Sequence, residues 1–339
     1  MYYVVRAGTI AIMLIFTLNY LRGLSFIYQT WIYNAIVSCG YIAIQGINFW
    51  GIFTLAHDCG HGAFSRYAML NDTIGLLLHS IVLTPYEPWK VSHRLHHKNT
   101  GHLDRDVVYF PQRATNDHPL SRNMISGLGF AWFAYLINGF PPRRFNHFNP
   151  MEPLLACHRV KVFVSLAVQA WFVVTILVLT TVIGWRVMIL YYHGPILVFA
   201  SMLVITTFLN HMDDDIPWYD DTQWSYVRGN LSSVDRTYGA LVDNMTHHIG
   251  LHQIHHLLPM IPHYKLALAT QHFRQTFPQL ARQSHEPIPR AFFRLLRMYA
   301  ARGVVDDVAS SFYLNRRFIG QNNCTKCRRI SSVGKKRVS

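Results

Sequence analysis

Residues Trp31 to His61 read WIYNAIVSCGYIAIQGINFWGIFTLAHDCGH. The part from Trp31 to Ala56 is long enough to cross a membrane, because a helix needs about 20 apolar residues to span a hydrocarbon core of about 30 Å. The span then runs directly into HDCGH, which places His57 and His61 four residues apart. Helical positions i and i+4 share a face, so this end of the span delivers two imidazoles to one point.

Composition agrees with a membrane chain. Of 339 residues, 51% are hydrophobic and only 14% are Asp, Glu, Lys or Arg, against roughly 25% charged in an average soluble domain. The formal charge of +14 suits anionic lipid headgroups or nucleic acid, and the apolar runs favour lipid; no nucleic-acid partner is expected. Further spans are expected over about 8–21, 162–183 and 187–209, the last two joined only by Gly184 to Arg186 as a hairpin. The first is short, and the opening 25 residues also fit a cleaved signal peptide. Ile74 to Leu83 and Gly127 to Ile137 are too short to span and read as interfacial or re-entrant.

Lys and Arg number eleven between His57 and Lys161 and seventeen after Leu209, whereas Arg22 and Arg186 stand alone beside the two opposite turns. The positive-inside rule then puts both polar regions, 57–161 and 210–320, in the cytosol as one cap. The expected fold is therefore an all-α integral membrane protein with about four transmembrane helices in two hairpins. A single domain would cover 1–320, with 321–339 a disordered basic tail. In that tail Cys324 and Cys327 form a lone CxxC with no second pair to complete a zinc site, and Lys335 and Lys336 loosely match a dilysine retrieval signal. The five cysteines are too few and scattered for a disulfide framework.

Two further histidine clusters lie on the same expected side. HRLHH carries His93, His96 and His97, and HQIHH repeats that spacing with His252, His255 and His256. His211, in LNHMDDD, stands where the fourth span ends, as His57 does for the second. The acidic residues are fourteen Asp but only Glu87, Glu152 and Glu286, so histidine must carry most of any metal ligation. Eight clustered imidazoles exceed the four ligands of one tetrahedral zinc, which favours two metal ions, and imidazole suits iron and copper as well as zinc. A di-iron centre of the soluble carboxylate kind needs Glu-x-x-His motifs, and none occurs. His247 and Asp58 are assigned as hydrogen-bond partners behind the ligands; Asp104, Asp106, Asp213, Asp214, Asp215 and Asp243 are also near enough in sequence to orient one.

The remaining histidines are read more plainly. His79, His102, His118, His147, His158, His263, His272 and His285 are isolated and expected to be surface or hydrogen-bonded structural groups. His193 lies within the fourth span before Gly194 and Pro195, where it would line a tunnel or bond a neighbouring helix. The aromatic residues of PWYDDTQWSY, Pro217 to Tyr226, are expected to form an interface belt.

HDCGHGAFS, HRLHH followed by TGH, and HQIHHLLPMIPHYKL together resemble the three histidine boxes of the membrane fatty acid desaturases, in particular the methyl-end Delta-12 and omega-3 group. GNLSSVDRTYG, Gly229 to Gly239, also resembles the animal omega-3 type. The resemblance covers about Ala35 to Ala269. It implies a four-span bundle whose cytosolic cap holds two non-haem irons, which use O₂ to remove two hydrogens from an acyl chain carried on CoA or in a phospholipid. Carried over by motif position, the ligands are His57, His61, His93, His96, His97, His211, His252, His255 and His256, with no catalytic residue beyond them. The expected location is the endoplasmic reticulum membrane. The family's hydrophilic N-terminal stretch is almost absent, which bears on the first span and on whether the chain is complete. No HPGG haem motif of a fused cytochrome b5 domain occurs, so a separate donor such as cytochrome b5 with its reductase is implied.

The chemistry points the same way. Taking hydrogen from an unactivated methylene is beyond any side chain acting as acid or base, so a cofactor must carry it. Two rivals remain: an acyl hydroxylase or acetylenase on the same fold, and a histidine-rich metal transporter or sensor. The last fits poorly, because transport needs polar residues within the spans and the clusters lie outside them.

Overall fold

The computed structural model describes residues 1–23, 30–116 and 123–314. The CxxC pair, the lysines at 335 and 336, the tail at 321–339 and His118 lie outside them. Four helices are long and apolar enough to cross a membrane, as two antiparallel pairs. The first pair is α1 (Tyr2–Gly23) and α2 (Trp31–His61).

α2 begins where the Thr30 hydroxyl accepts the Tyr33 N–H at 3.3 Å, and stops at Gly62, whose φ of 74° is the left-handed position that closes a helix. Its 31 residues reach roughly 46 Å at 1.5 Å per residue, well beyond the hydrocarbon core. The span expected to end at Ala56 therefore continues as one helix through His61, and the first box is its protruding last turns. All residues from Phe49 to His61 are buried, so the cap covers this protrusion and keeps its ladder intact.

α3 (Ala68–Ile81) descends beside α2, and α4 (Tyr86–Asn99) returns carrying the second box. Their connection is internal: Val82 and Thr84 are fully buried, and Leu83 adopts a φ of 56°. The short apolar segment expected near Ile74 is thus one arm of a helical hairpin whose turn is buried in the protein. α5 (Gly129–Asn138) lies against α7 (Trp185–His211). The approach is close because Gly129 faces the Leu197 carbonyl, and its N–H donates to Ser201 Oγ at 3.0 Å.

α6 (Arg159–Ile183) pairs with α7 through a turn at Gly184. Within α7, residues Ile189–His193 form a π turn just ahead of Pro195. Proline lacks an N–H, and the widened turn accommodates that break in the ladder. His193 Nε2 lies 3.2 Å from Thr180 Oγ1 of α6. Of the two roles open to His193, the interhelical hydrogen bond is the one formed. The apolar faces left exposed on α1 and α6, including Ile12, Phe16, Phe163, Trp171, Leu177 and Val182, are the lipid-facing surfaces that spans of this kind require.

The cap is completed by α8 (Tyr226–Asn230), α9 (Ala240–Met245), α10 (His252–Leu257), α11 (His263–Thr276) and α12 (Ile288–Arg302). Two short ladders tie its end down: Gln112–Arg113 parallel to Val304–Val305, and Trp218–Tyr219 antiparallel to Ser311–Phe312. The expected aromatic belt at Pro217 to Tyr226 is not a belt. Trp218 is buried in the second ladder, and Trp224 Nε1 donates to the Thr100 carbonyl at 3.0 Å. Trp218 packs in the cap core opposite Phe312, and Trp224 ties the cap to the residue that follows the helix of the second box.

Candidate metal centre

Because α2 and α7 end on the same side as α4 and α10, all nine expected ligand histidines meet in the cap. They form two groups. In one, His57, His61, His93, His97 and His255 offer ligand atoms that all lie within 4.8 Å of one another; in the other, His96, His211 and His256 do so. His252 joins the second group, its Nε2 2.9 Å from that of His211 and 2.8 Å from that of His256.

The helical repeat explains this division. On α4, the i and i+4 residues His93 and His97 turn to the first group and His96 turns to the second. On α10 the assignment reverses: His252 and His256 turn to the second group and His255 to the first. Each HxxHH therefore feeds both groups, and α2 and α7 supply the rest. Stacked rings of His97 and His256, 4.0 Å apart and 8° from parallel, join the halves.

The donor chemistry fits metal ions. Burial, reinforced by neighbouring imidazoles, holds His93, His97, His255 and His256 well below the ordinary histidine pKa and pushes His252 down to about 3. These rings are neutral at pH 7, and a neutral ring has one N–H and one lone pair. Yet ring nitrogens face ring nitrogens: His61 Nε2 is 3.3 Å from His57 Nε2 and 3.0 Å from His93 Nε2, and His96 Nε2 is 3.1 Å from His211 Nε2. His255 Nε2 is buried with no protein partner. Neutral imidazoles so converged cannot all satisfy one another, whereas a cation between them takes every lone pair.

Outer hydrogen bonds fix which nitrogen points inward. His96 Nδ1 lies 2.7 Å from Asp106 Oδ1, inside a fully buried pair, so its N–H points to the carboxylate and Nε2 is left bare. His256 Nδ1 lies 3.1 Å from Thr100 Oγ1, whose own hydrogen goes to the His96 carbonyl at 2.7 Å. Asp58 Oδ1 stands 3.7 Å from His57 Nδ1, beyond hydrogen-bond range, while Oδ2 accepts the His263 N–H at 3.1 Å and lies 2.7 Å from His263 Nδ1. His247 sits one layer further out, its ring 4.6 Å from that of His263. Asp106→Asn is expected to weaken metal retention by about 10–100-fold, the usual cost of losing such a partner, read as metal content after dialysis against a graded series of chelator.

Of the other aspartates, Asp104 pairs with Arg113, Asp213 with Arg236, Asp214 with Arg294, and Asp243 accepts the Tyr238 N–H. Two contributors escape a reading of the boxes alone. Thr100 is one turn beyond His96, a spacing that could have flagged it. Asp235, within GNLSSVDRTYG, accepts the Gln253 N–H at 2.9 Å and so anchors the start of α10, held in turn by Arg274 at 2.7 Å.

Most isolated histidines are structural as expected. His147 lies 2.9 Å from Ser92 Oγ, His158 pairs with Glu87 at 3.0 Å, His102 with Asp221 at 3.2 Å, and His272 and His285 are exposed. His79 departs from both expected roles. It is fully buried with neither ring nitrogen hydrogen-bonded, stacked on Phe53 at 4.9 Å and edge-on to Trp89 at 4.5 Å. Its ring serves as an aromatic wedge behind two residues that face a cavity beside the histidines.

That cavity is narrow: the centres of water-sized spheres can occupy about 70 Å³ of it. Four box histidines (His57, His93, His96 and His252) and His211 line it, and most of the remaining wall is apolar, including Phe53, Val108, Ala131, Trp132 and Leu203. Histidines from both metal groups thus border an apolar hole between α2, α5 and α7.

Comparison with known proteins agrees with this geometry. The fatty acid desaturase family model matches residues 29–287. Among similar proteins, a Synechocystis sn-1 acyl-lipid omega-3 desaturase (ferredoxin) is 39% identical over 256 residues, 74% of this chain and 71% of its own length. An endoplasmic reticulum omega-3 fatty acid desaturase of Nicotiana tabacum is 39% identical over 277 residues, 79% of this chain and 71% of that protein. An Arabidopsis thaliana acyl-lipid omega-3 desaturase (cytochrome b5) of the endoplasmic reticulum is 40% identical over 241 residues, 68% of this chain and 62% of that one. A membrane helical bundle, three histidine boxes folded into two groups that could each hold a metal ion and an apolar cavity beside them lead to the same conclusion: the chain belongs to the fatty acid desaturase family.

Proposed function

We propose that the protein is an omega-3 fatty acyl desaturase, which converts a –CH₂–CH₂– unit near the methyl end of an unsaturated acyl chain to a cis double bond. The observation that carries this reading is the convergence of nine imidazoles in two groups, each with members on the wall of an apolar cavity. His57, His61, His93, His97 and His255 would hold one iron, and His96, His211, His252 and His256 the other. Bound there, iron supplies the redox chemistry with O₂ that no side chain here provides. In total, one O₂, two electrons, two protons and the two hydrogens of the substrate leave as two waters.

The chain's own residues do the rest. Phe53, Trp132 and Leu203 exclude water and hold the acyl chain against the histidines. Asp106 and Thr100 keep His96 and His256 in the tautomer that presents Nε2 inward, and we assign Asp58 to fixing the first box against α11. Electrons come from a separate carrier, for which we propose cytochrome b5, at an endoplasmic reticulum membrane with the boxes facing the cytosol. Two of the similar plant proteins are named for that compartment and one for that donor.

The test is expression in yeast fed oleate or linoleate, with new double bonds located by mass spectrometry. A new bond three carbons from the methyl end is expected. Unchanged fatty acids in cells whose purified enzyme carries iron and accepts electrons would refute the assignment, and a hydroxylated or acetylenic product would transfer it to one of those reactions.

A further inference from the structure

We propose that the first turns of α1 form a clasp on the third histidine box, with Tyr3 and Arg6 as positioning residues that hold the chain on both sides of α10. Arg6 reaches the segment leading into the box: Nη2 donates to the Asn244 carbonyl at 3.1 Å and to His247 Nδ1 at 3.3 Å, and Nη1 to Asn244 Oδ1 at 3.3 Å. Tyr3 reaches the segment leading out, its ring edge-on to His263 at 4.4 Å and to His247 at 5.3 Å. The Arg6 guanidinium lies 5.2 Å from the centre of the Tyr3 ring, so the two act as one unit. Asn48 ties this unit to α2 by donating to the Ala7 carbonyl at 3.2 Å.

The segment so held is one that needs holding. His247 and His248 have φ of 57° and 60°, two consecutive non-glycine residues in the left-handed region. Such a pair persists only where its surroundings fix it. Arg6 fixes it from α1. From α2 the fit is closer still, since a Cβ on Gly51 would come within 2.3 Å of the Met245 carbonyl. Burial, with His263 and Arg6 beside it, pushes His247 down to about 3, so the ring is neutral and its Nδ1 accepts the Arg6 hydrogen. On the far side His263 bonds twice to Asp58, next to His57. One clasp therefore sets the third box against the first. This role rests on the assignment of His252, His255 and His256 as ligands, and it gives α1 a task besides crossing the membrane.

Amide hydrogen exchange on the metal-free protein in detergent tests it without reference to catalysis. Tyr3→Ala and Arg6→Ala are expected to speed exchange at residues 244–251 and at 263 by roughly 10-fold or more, as expected when a local closing contact is lost, while peptides from α6 and α7 keep wild-type protection. Tyr3→Phe keeps the ring edges and should match wild type. In the iron-loaded protein, the two alanine variants should lose iron to a chelator several-fold faster. Unchanged exchange around the box in both alanine variants would overturn the proposal, and so would equal acceleration along the whole chain. If Arg6→Ala fails to insert, the Tyr3→Ala and Tyr3→Phe pair decides: equal exchange in these two contradicts a clasp made by the ring.

Discussion

Replacing His255 by alanine is expected to lower desaturation by about 100-fold or more and to empty the five-histidine group of its metal, a larger loss than removing an outer partner causes. The size follows from position. His255 is the one residue that α10 gives to the first group, and its Nε2 has no protein partner to fall back on. His96→Ala should be as severe for the second group, to which α4 contributes no other ligand. His285→Ala, at an exposed site, should leave both activity and iron content unchanged. Fatty acid profiles and metal analysis on the same preparations check this; three equally active variants would refute the ligand assignment.

The second large effect is expected from Ala131→Phe. Ala131 is 6% exposed and lines the cavity from α5, across from Leu203 of α7. A phenyl ring there occupies space that the acyl chain needs, and overpacking a close-fitted site costs about 1–3 kcal/mol. Product formation should fall by roughly 10–100-fold, the kinetic equivalent of about 1.4–2.7 kcal/mol and so within that cost, while iron content stays at the wild-type level. Iron retained with product lost separates this from a ligand variant. Unaltered product yield would show that the acyl chain runs elsewhere.

What could be read from the sequence divides along physical lines. Four spans were legible because a hydrophobic run of crossing length is rarely stable anywhere but in a bilayer, eight of the nine histidines because HxxxH and HxxHH on helices present their rings to one face, and His211 from its place where the fourth span ends. The extension of α2 past Ala56 was not, since the burial that stabilises those last turns comes from segments as far as 205 residues away. Nor was the reversed division of the two HxxHH motifs, which depends on how α4 and α10 face each other. Among seven candidate aspartates, sequence proximity could not tell Asp106, which holds a ligand, from Asp104 next to it, which pairs with Arg113. The aromatic residues near Trp218 resembled an interface belt because a belt and a cap core have the same composition; only the partner, here Phe312 in a strand ladder, separates them.

One recurring feature is how much of the site is built from long-range pairs. Asp58 meets His263, Thr100 meets His256 and Arg6 meets His247, each joining elements far apart in the chain. The metal groups therefore require the completed bundle, and iron should in turn stabilise it by binding the folded form alone.

The most direct test of the two-group metal centre is anomalous scattering at the iron edge from crystals of the iron-loaded enzyme. Two iron peaks per chain are expected, one among His57, His61, His93, His97 and His255 and one among His96, His211, His252 and His256. A single peak, or a catalytically active preparation carrying zinc in place of iron, would contradict it.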